Sequence, residues 1–160
     1  MRDRISGKGM PRILPGIVLG TAVAMVVAIA GFGAAAARAE ATSSVVHLSQ
    51  GTNDLHAVTM GLSIATELAK QPESKVTLFL DLEGVRVADR RTPGDLRWGA
   101  SKTLAELYDA FVGAGGEVLV CAHCASAGGL TAEQLRAGAR IGSNGEVAAR
   151  ILAADRILDY

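Results

Sequence analysis

Apolar and polar positions divide this chain into two unlike parts. From Ile13 to Ala37 there is no charged residue, and Arg2, Arg4, Lys8 and Arg12 precede that stretch. From residue 40 onward, short apolar runs alternate with segments of helical period. Val45-Val46-His47-Leu48 is one run, ended by Ser49-Gln50-Gly51, and Val76-Thr77-Leu78-Phe79-Leu80 is a second. Between them Leu55, Val58, Leu62, Ala65 and Ala69 recur on one helical face. That spacing predicts a helix over 54–70, with Thr52 or Asn53 as N-cap and Pro72 closing it.

Residues 83–101 are less regular. Arg90, Arg91, Pro93, Gly94 and Asp95 read as a loop, while Val85 and Val87 could extend a strand. Ser101 is expected to cap a helix in which Leu104, Leu107, Tyr108 and Phe111 share a face, stopped by Gly113, Gly115 and Gly116. Glu117 to Val120 is a third strand. Thr131 with Gln134, and Ser143 with Glu146, have capping-box spacing, so helices are expected near Ala132 and Asn144. Ala139-Arg140-Ile141 and Arg156-Ile157-Leu158 complete the strands. Such alternation predicts an α/β fold: a three-layer sandwich with a mainly parallel sheet of about five strands and helices on both faces.

The first part has a different reading. A basic start, an uncharged stretch and Ala37-Arg38-Ala39 form an export signal, with cleavage expected after Ala39. No two arginines are adjacent near the start, which favours a Sec-type route to the periplasm over a twin-arginine one. Left uncleaved, the same stretch reaches the ~20 residues of a membrane anchor. Only this segment would then touch a membrane. Residues 1–39 are thus a leader, and residues 40–160 one domain. The domain holds 15 acidic and 11 basic residues, a net charge of −4, against 0 for the whole chain. A mildly acidic domain with scattered arginines is no nucleic-acid binder.

The only two cysteines stand in Cys121-Ala122-His123-Cys124, directly after the third strand. In sheets of this kind, reactive groups gather at the carboxyl ends of strands, and a thiol near the start of a following helix is favoured as thiolate. Cys121 is therefore read as the working thiol, Cys124 as its resolving partner and His123 as a group that tunes protonation. The bland reading is an inert disulfide. An ordinary thioredoxin is excluded because all four prolines (Pro11, Pro15, Pro72, Pro93) precede the pair. Attached haem is excluded because Ala125, not histidine, follows Cys124. Two cysteines and three histidines in all are few donors for structural zinc. A Cu(I) or Zn(II) site joining the thiols to His47 or His56 remains, and with it a non-enzymatic metal- or cofactor-binding accessory protein. No cofactor is implied.

Other residues invite plainer readings. His47 in an apolar strand is a core histidine, and His56 faces either solvent or the strand ends. Met60 is expected in the core, and Trp98 is a loop anchor or subunit contact. Arg86, Arg90 and Arg91 belong to a solvated loop or hold an anion. Asp54 and Glu83 have no visible partner.

The stretch from Gly115-Gly116-Glu117 to Cys121-Ala122-His123-Cys124, then Gly129-Leu130, Leu135-Arg136-Ala137-Gly138-Ala139 and Ala154-Asp155-Arg156-Ile157-Leu158, resembles the DsrE/TusD sulfur-relay family. The likeness runs over nearly all of residues 44–160. It implies a compact DsrE-like α/β fold and assembly as a homotrimer or hexamer. It also implies a cysteine after the 117–120 strand that accepts persulfide sulfur; only Cys121 matches that position. Cys124 and His123 resemble an exported subgroup instead. The resemblance suits a carrier or transferase working with a sulfur-donor, sulfur-acceptor or redox partner protein. An oxidising compartment could turn the same pair to dithiol redox work.

Overall fold

The computed structural model describes residues 41–160. The leader expected over 1–39 lies outside the described residues. Five strands form one all-parallel sheet: β1 (Thr42–Leu48), β2 (Ser74–Leu80), β3 (Glu117–Cys121), β4 (Ala139–Gly142) and β5 (Arg156–Asp159), in the order β4-β3-β2-β1-β5. Parallel neighbours need crossover segments. These are α1 (Leu55–Ala69), a 3₁₀ turn at Leu82–Gly84 leading into α2 (Val85–Ala88), α3 (Leu104–Gly113), α4 (Ala122–Ala127), a 3₁₀ turn at Ala132–Gln134, and α5 (Asn144–Leu152).

Strand side chains alternate between faces. Val46 and Leu48, Val76, Leu78 and Leu80, and Val118 and Val120 point to one face. There they form a continuous core with Val58 and Leu62 of α1 and Tyr108 and Phe111 of α3. Each such apolar side chain contributes about 1.5–3 kcal/mol by leaving water. The intervening residues Val45 and Leu119 are also buried, but on the opposite face. On that face α5 is tied to the sheet by ion pairs. Arg150 reaches Glu117 at 3.1 Å, and Arg140 bonds both Glu117 and, at 2.6 Å, Glu146. Helices therefore cover both faces, as the alternation predicts.

Three local expectations are corrected. Asp54, not Thr52 or Asn53, caps α1: its carboxylate accepts the amides of His56 and Ala57, both at 3.0 Å. Asn53 is occupied by the preceding turn, where its Oδ1 accepts the Gly51 amide at 2.8 Å. Thr103, not Ser101, caps α3, because Thr103 and Glu106 close a reciprocal capping box. Val85 and Val87 lie in α2 rather than a strand. Both are buried, as is Ala88, and a single polar residue, Arg86, in four is too little from which to read a helical period.

Candidate functional site

Strand β3 ends at Cys121 and passes into α4 without a loop. Cys121 is the N-cap of α4, and its Sγ accepts the Cys124 amide at 3.5 Å. A sulfur thus takes the place normally filled by a Ser, Thr or Asp oxygen. Both cysteines are free and half-buried. Their spacing places them one turn apart, where Cβ atoms lie about 5–6 Å from each other, so a disulfide would need them to draw together to about 3.5–4.5 Å. The two sulfurs are not equivalent. Burial against the apolar core pushes the Cys124 thiol up, the Leu82 amide opposes this, and Cys121 and Asp81 add to the rise. These surroundings favour the protonated form of Cys124.

Cys124 also borders a cleft of about 440 Å³, whose other walls include Leu82, Glu83, Val85, Arg86 and the exposed His123. Cys121 is not among its wall residues. Arg86 spans the cleft floor by donating to the Gly128 carbonyl at 3.3 Å, and lies 3.6 Å from Asp89. Arg91 is committed to the buried Asp89 through its own amide, Nε and Nη2. Of the loop arginines Arg86 and Arg91, Arg86 alone faces the thiol cleft.

The sheet register brings a second group to the same rim. His47 at the end of β1 meets Asp159 of β5 through Nδ1 at 2.6 Å and Asp81 through Nε2 at 2.9 Å. Its ring stacks on Phe79, with centroids 5.3 Å apart. Leu80 pairs with Val120, so the register carried one residue further sets Asp81 beside Cys121. Leu82 follows with φ of +44°, a left-handed conformation costly for a bulky residue. His47 is thus half-buried and ion-paired rather than a core histidine. His56 turns away to stack on Trp98 at 3.9 Å, and Met60 is 40% exposed rather than in the core. Among the described residues, no group of three or more His, Cys, Asp or Glu side chains is gathered to hold a metal ion.

These features sit in a fold with known relatives. The model of the DsrE/DsrF-like family matches residues 29–160. The chain belongs to the DsrE/DsrF-like family. Two solved structures share its fold. The ychN protein of E. coli has a TM-score of 0.62 at 21% identity, over 74% of this chain and 98% of its own. MTH1491 of Methanobacterium thermoautotrophicum, a protein of unknown function, has a TM-score of 0.58 at 16% identity, over 74% and 99%. No curated protein matches the chain.

Membership in the DsrE/DsrF-like family points to sulfur relay or redox chemistry. In this DsrE/DsrF-like chain Cys121, His123 and Cys124 come together as their spacing demands. Asp81 and Leu82 are site residues that the sequence reading passed over. A signal for Asp81 was present: it follows the apolar run of β2 as Cys121 follows that of β3, at the carboxyl end of a parallel strand.

Proposed function

We propose that this DsrE/DsrF-like chain is an exported thiol protein that carries sulfane sulfur, or exchanges disulfides, through Cys121 with Cys124 as resolving thiol. The observation that carries the reading is the asymmetry of the pair. Cys121 Sγ ends a parallel strand with an amide aimed at it, while Cys124 packs against the core beside an open cleft. In the transfer step the Cys121 thiolate attacks the outer sulfur of a persulfide R–S–SH. The R–S bond partner leaves as RS⁻ and Cys121 becomes the persulfide. An acceptor thiolate then takes that sulfur and Cys121 returns to thiolate. When no acceptor is present, deprotonated Cys124 attacks Cys121 Sγ. HS⁻ departs, and the two cysteines, oxidised by two electrons, remain as a disulfide.

Export is supported by the basic start and uncharged stretch ahead of Ala39. Homo-oligomerisation is supported by Ile151 and Leu152 of α5 and Ile157 of β5, which are apolar and exposed. The test is intact mass spectrometry of the reduced protein after treatment with polysulfide. Added sulfur is expected to persist on Cys124→Ser, wild type should lose it again and end as the Cys121–Cys124 disulfide, and Cys121→Ser should show neither. Equal labelling of Cys121→Ser and Cys124→Ser would remove Cys121 from the role.

A further inference from the structure

The chain of strands reverses its order at β1, where β5 lies on the side opposite β2. Doubly wound sheets open a crevice at such a point. Here His47 and Asp159 meet across it at 2.6 Å. The His47 ring is held on three sides, by Asp159 of β5, Phe79 of β2 and Asp81 just beyond β2. Asp81 is thus held at one oxygen by the His47 ring, while the sheet register sets it beside Cys121.

We infer that His47 is a positioning residue for the thiol pair: it anchors Asp81, and through Asp81 sets how readily the cysteines become thiolates. The inference rests on the reading that these thiols are the working groups. The charged and titratable groups facing it are His47 from β1, Asp159 from β5, Cys121 from β3, Cys124 and His123 from α4, and Glu83 and Arg86 from the segment after β2. Among them Asp81 is the carboxylate that adds to the upward push on the Cys124 thiol. Left-handed Leu82, directly after Asp81, lines the same cleft as Cys124, so whatever moves Asp81 also moves a wall beside that thiol.

The test follows alkylation of Cys124 by iodoacetamide against pH in the full chain carrying Cys121→Ser. This reaction needs no sulfur donor, so its outcome stands apart from that of the polysulfide experiment. In this background Asp81→Asn, which keeps the side-chain shape, should raise the rate at pH 7 about three- to tenfold by increasing the thiolate fraction. His47→Gln should change it about threefold, as Asp81 loses its anchor. The double variant should behave as Asp81→Asn. An unchanged pH midpoint in Asp81→Asn would overturn the inference even if His47→Gln failed to fold. A His47→Gln effect of equal size with and without Asp81 would overturn it as well, since His47 would then act on the thiol directly.

Discussion

Gly84 offers a test in which two physical effects carry opposite signs. Its backbone is right-handed helical, at φ −57° and ψ −27°, between the 3₁₀ turn and α2. Helix propensity alone predicts that Gly84→Ala stabilises by about 0.5–1 kcal/mol. Packing predicts the reverse. A Cβ at Gly84 would lie 2.0 Å from the Leu48 carbonyl oxygen and 3.0 Å from its carbon. Ordinary contacts sit near ~3.5 Å, so the turn would have to retreat by ~1 Å or more. The obstacle is backbone of the central strand β1, which cannot swing aside as a side chain would. The retreat would stretch the bond from the Gly84 amide to the Ser49 carbonyl, now 3.0 Å. It would also lift Val85, Val87 and Ala88 from the core.

Overpacking of this kind costs about 2–3 kcal/mol and the hydrogen bond about 1 kcal/mol. After the propensity gain, a net loss of about 2–3 kcal/mol remains, near a 10 °C fall in Tm for a domain of this size. Urea and thermal unfolding should be run beside Gly113→Ala. Gly113 is exposed at the end of α3, and its added Cβ would meet nothing within 4 Å. That variant should gain about 0.5–1 kcal/mol. If Gly84→Ala were as stable as Gly113→Ala, the close approach of the two backbones would not be a constraint, and the argument would fail.

Two further outcomes follow from buried polar groups. The Arg91 side chain beside Asp89 holds the Asp89 carboxyl below its ordinary range. The resulting stability is complete above the unfolded pKa near ~3.9, and is lost as pH falls through the lower folded value. Asp89→Asn should cost about 2 kcal/mol at neutral pH and flatten the acid limb of a stability-against-pH curve; an unaltered limb would exclude the pairing as its source. Burial pushes the Tyr108 hydroxyl up to about 12, and it donates to the Ala137 carbonyl at 3.2 Å. Tyr108→Phe should remove the phenolate absorbance that appears near that pH while costing only about 0.5–1 kcal/mol, since Ala137 is exposed and water can replace the donor.

Much of the architecture was legible because it rests on local rules. Apolar runs without a polar face became the central strands, and capping spacing located the starts of the 3₁₀ turn after Thr131 and of α5. The Thr103-x-x-Glu106 box that starts α3 was equally readable, and Ser101 drew attention from it. Other features depended on partners distant in sequence. Asp159 lies 112 residues from His47, and no local pattern announces that strand register will join them. The cleft likewise arises where the segment after β2 meets α4. Met60 misled because its apolar character suits a core position, yet α1 already covers its part of the sheet with Val58, Leu62 and Ala65.

The distribution of chemistry over this rim follows from the pleat. In β1, β2 and β3, alternate residues on the α5 face are Val45 and His47, Phe79 and then Asp81, and Leu119 and Cys121. Midway along each row the side chain is apolar, although Thr77 and Glu117 stand at the other end of the β2 and β3 rows; at the carboxyl end it is titratable. Interior positions are sealed under α5 or neighbouring strands, where an uncompensated polar group would cost several kcal/mol. At the rim water reaches the side chain, so a histidine, carboxylate or thiol can sit there at little cost and exchange protons. Cys124 breaks the pattern because it comes from α4 and packs against the core on the other face. Two cysteines three residues apart therefore acquire different surroundings: one at the end of a polar row, the other against the core. A shift of β2 by one residue would exchange Asp81 for Leu80 at the rim. It would leave His47 with one carboxylate and Cys121 without Asp81, so strand register decides which groups meet at this end of the sheet.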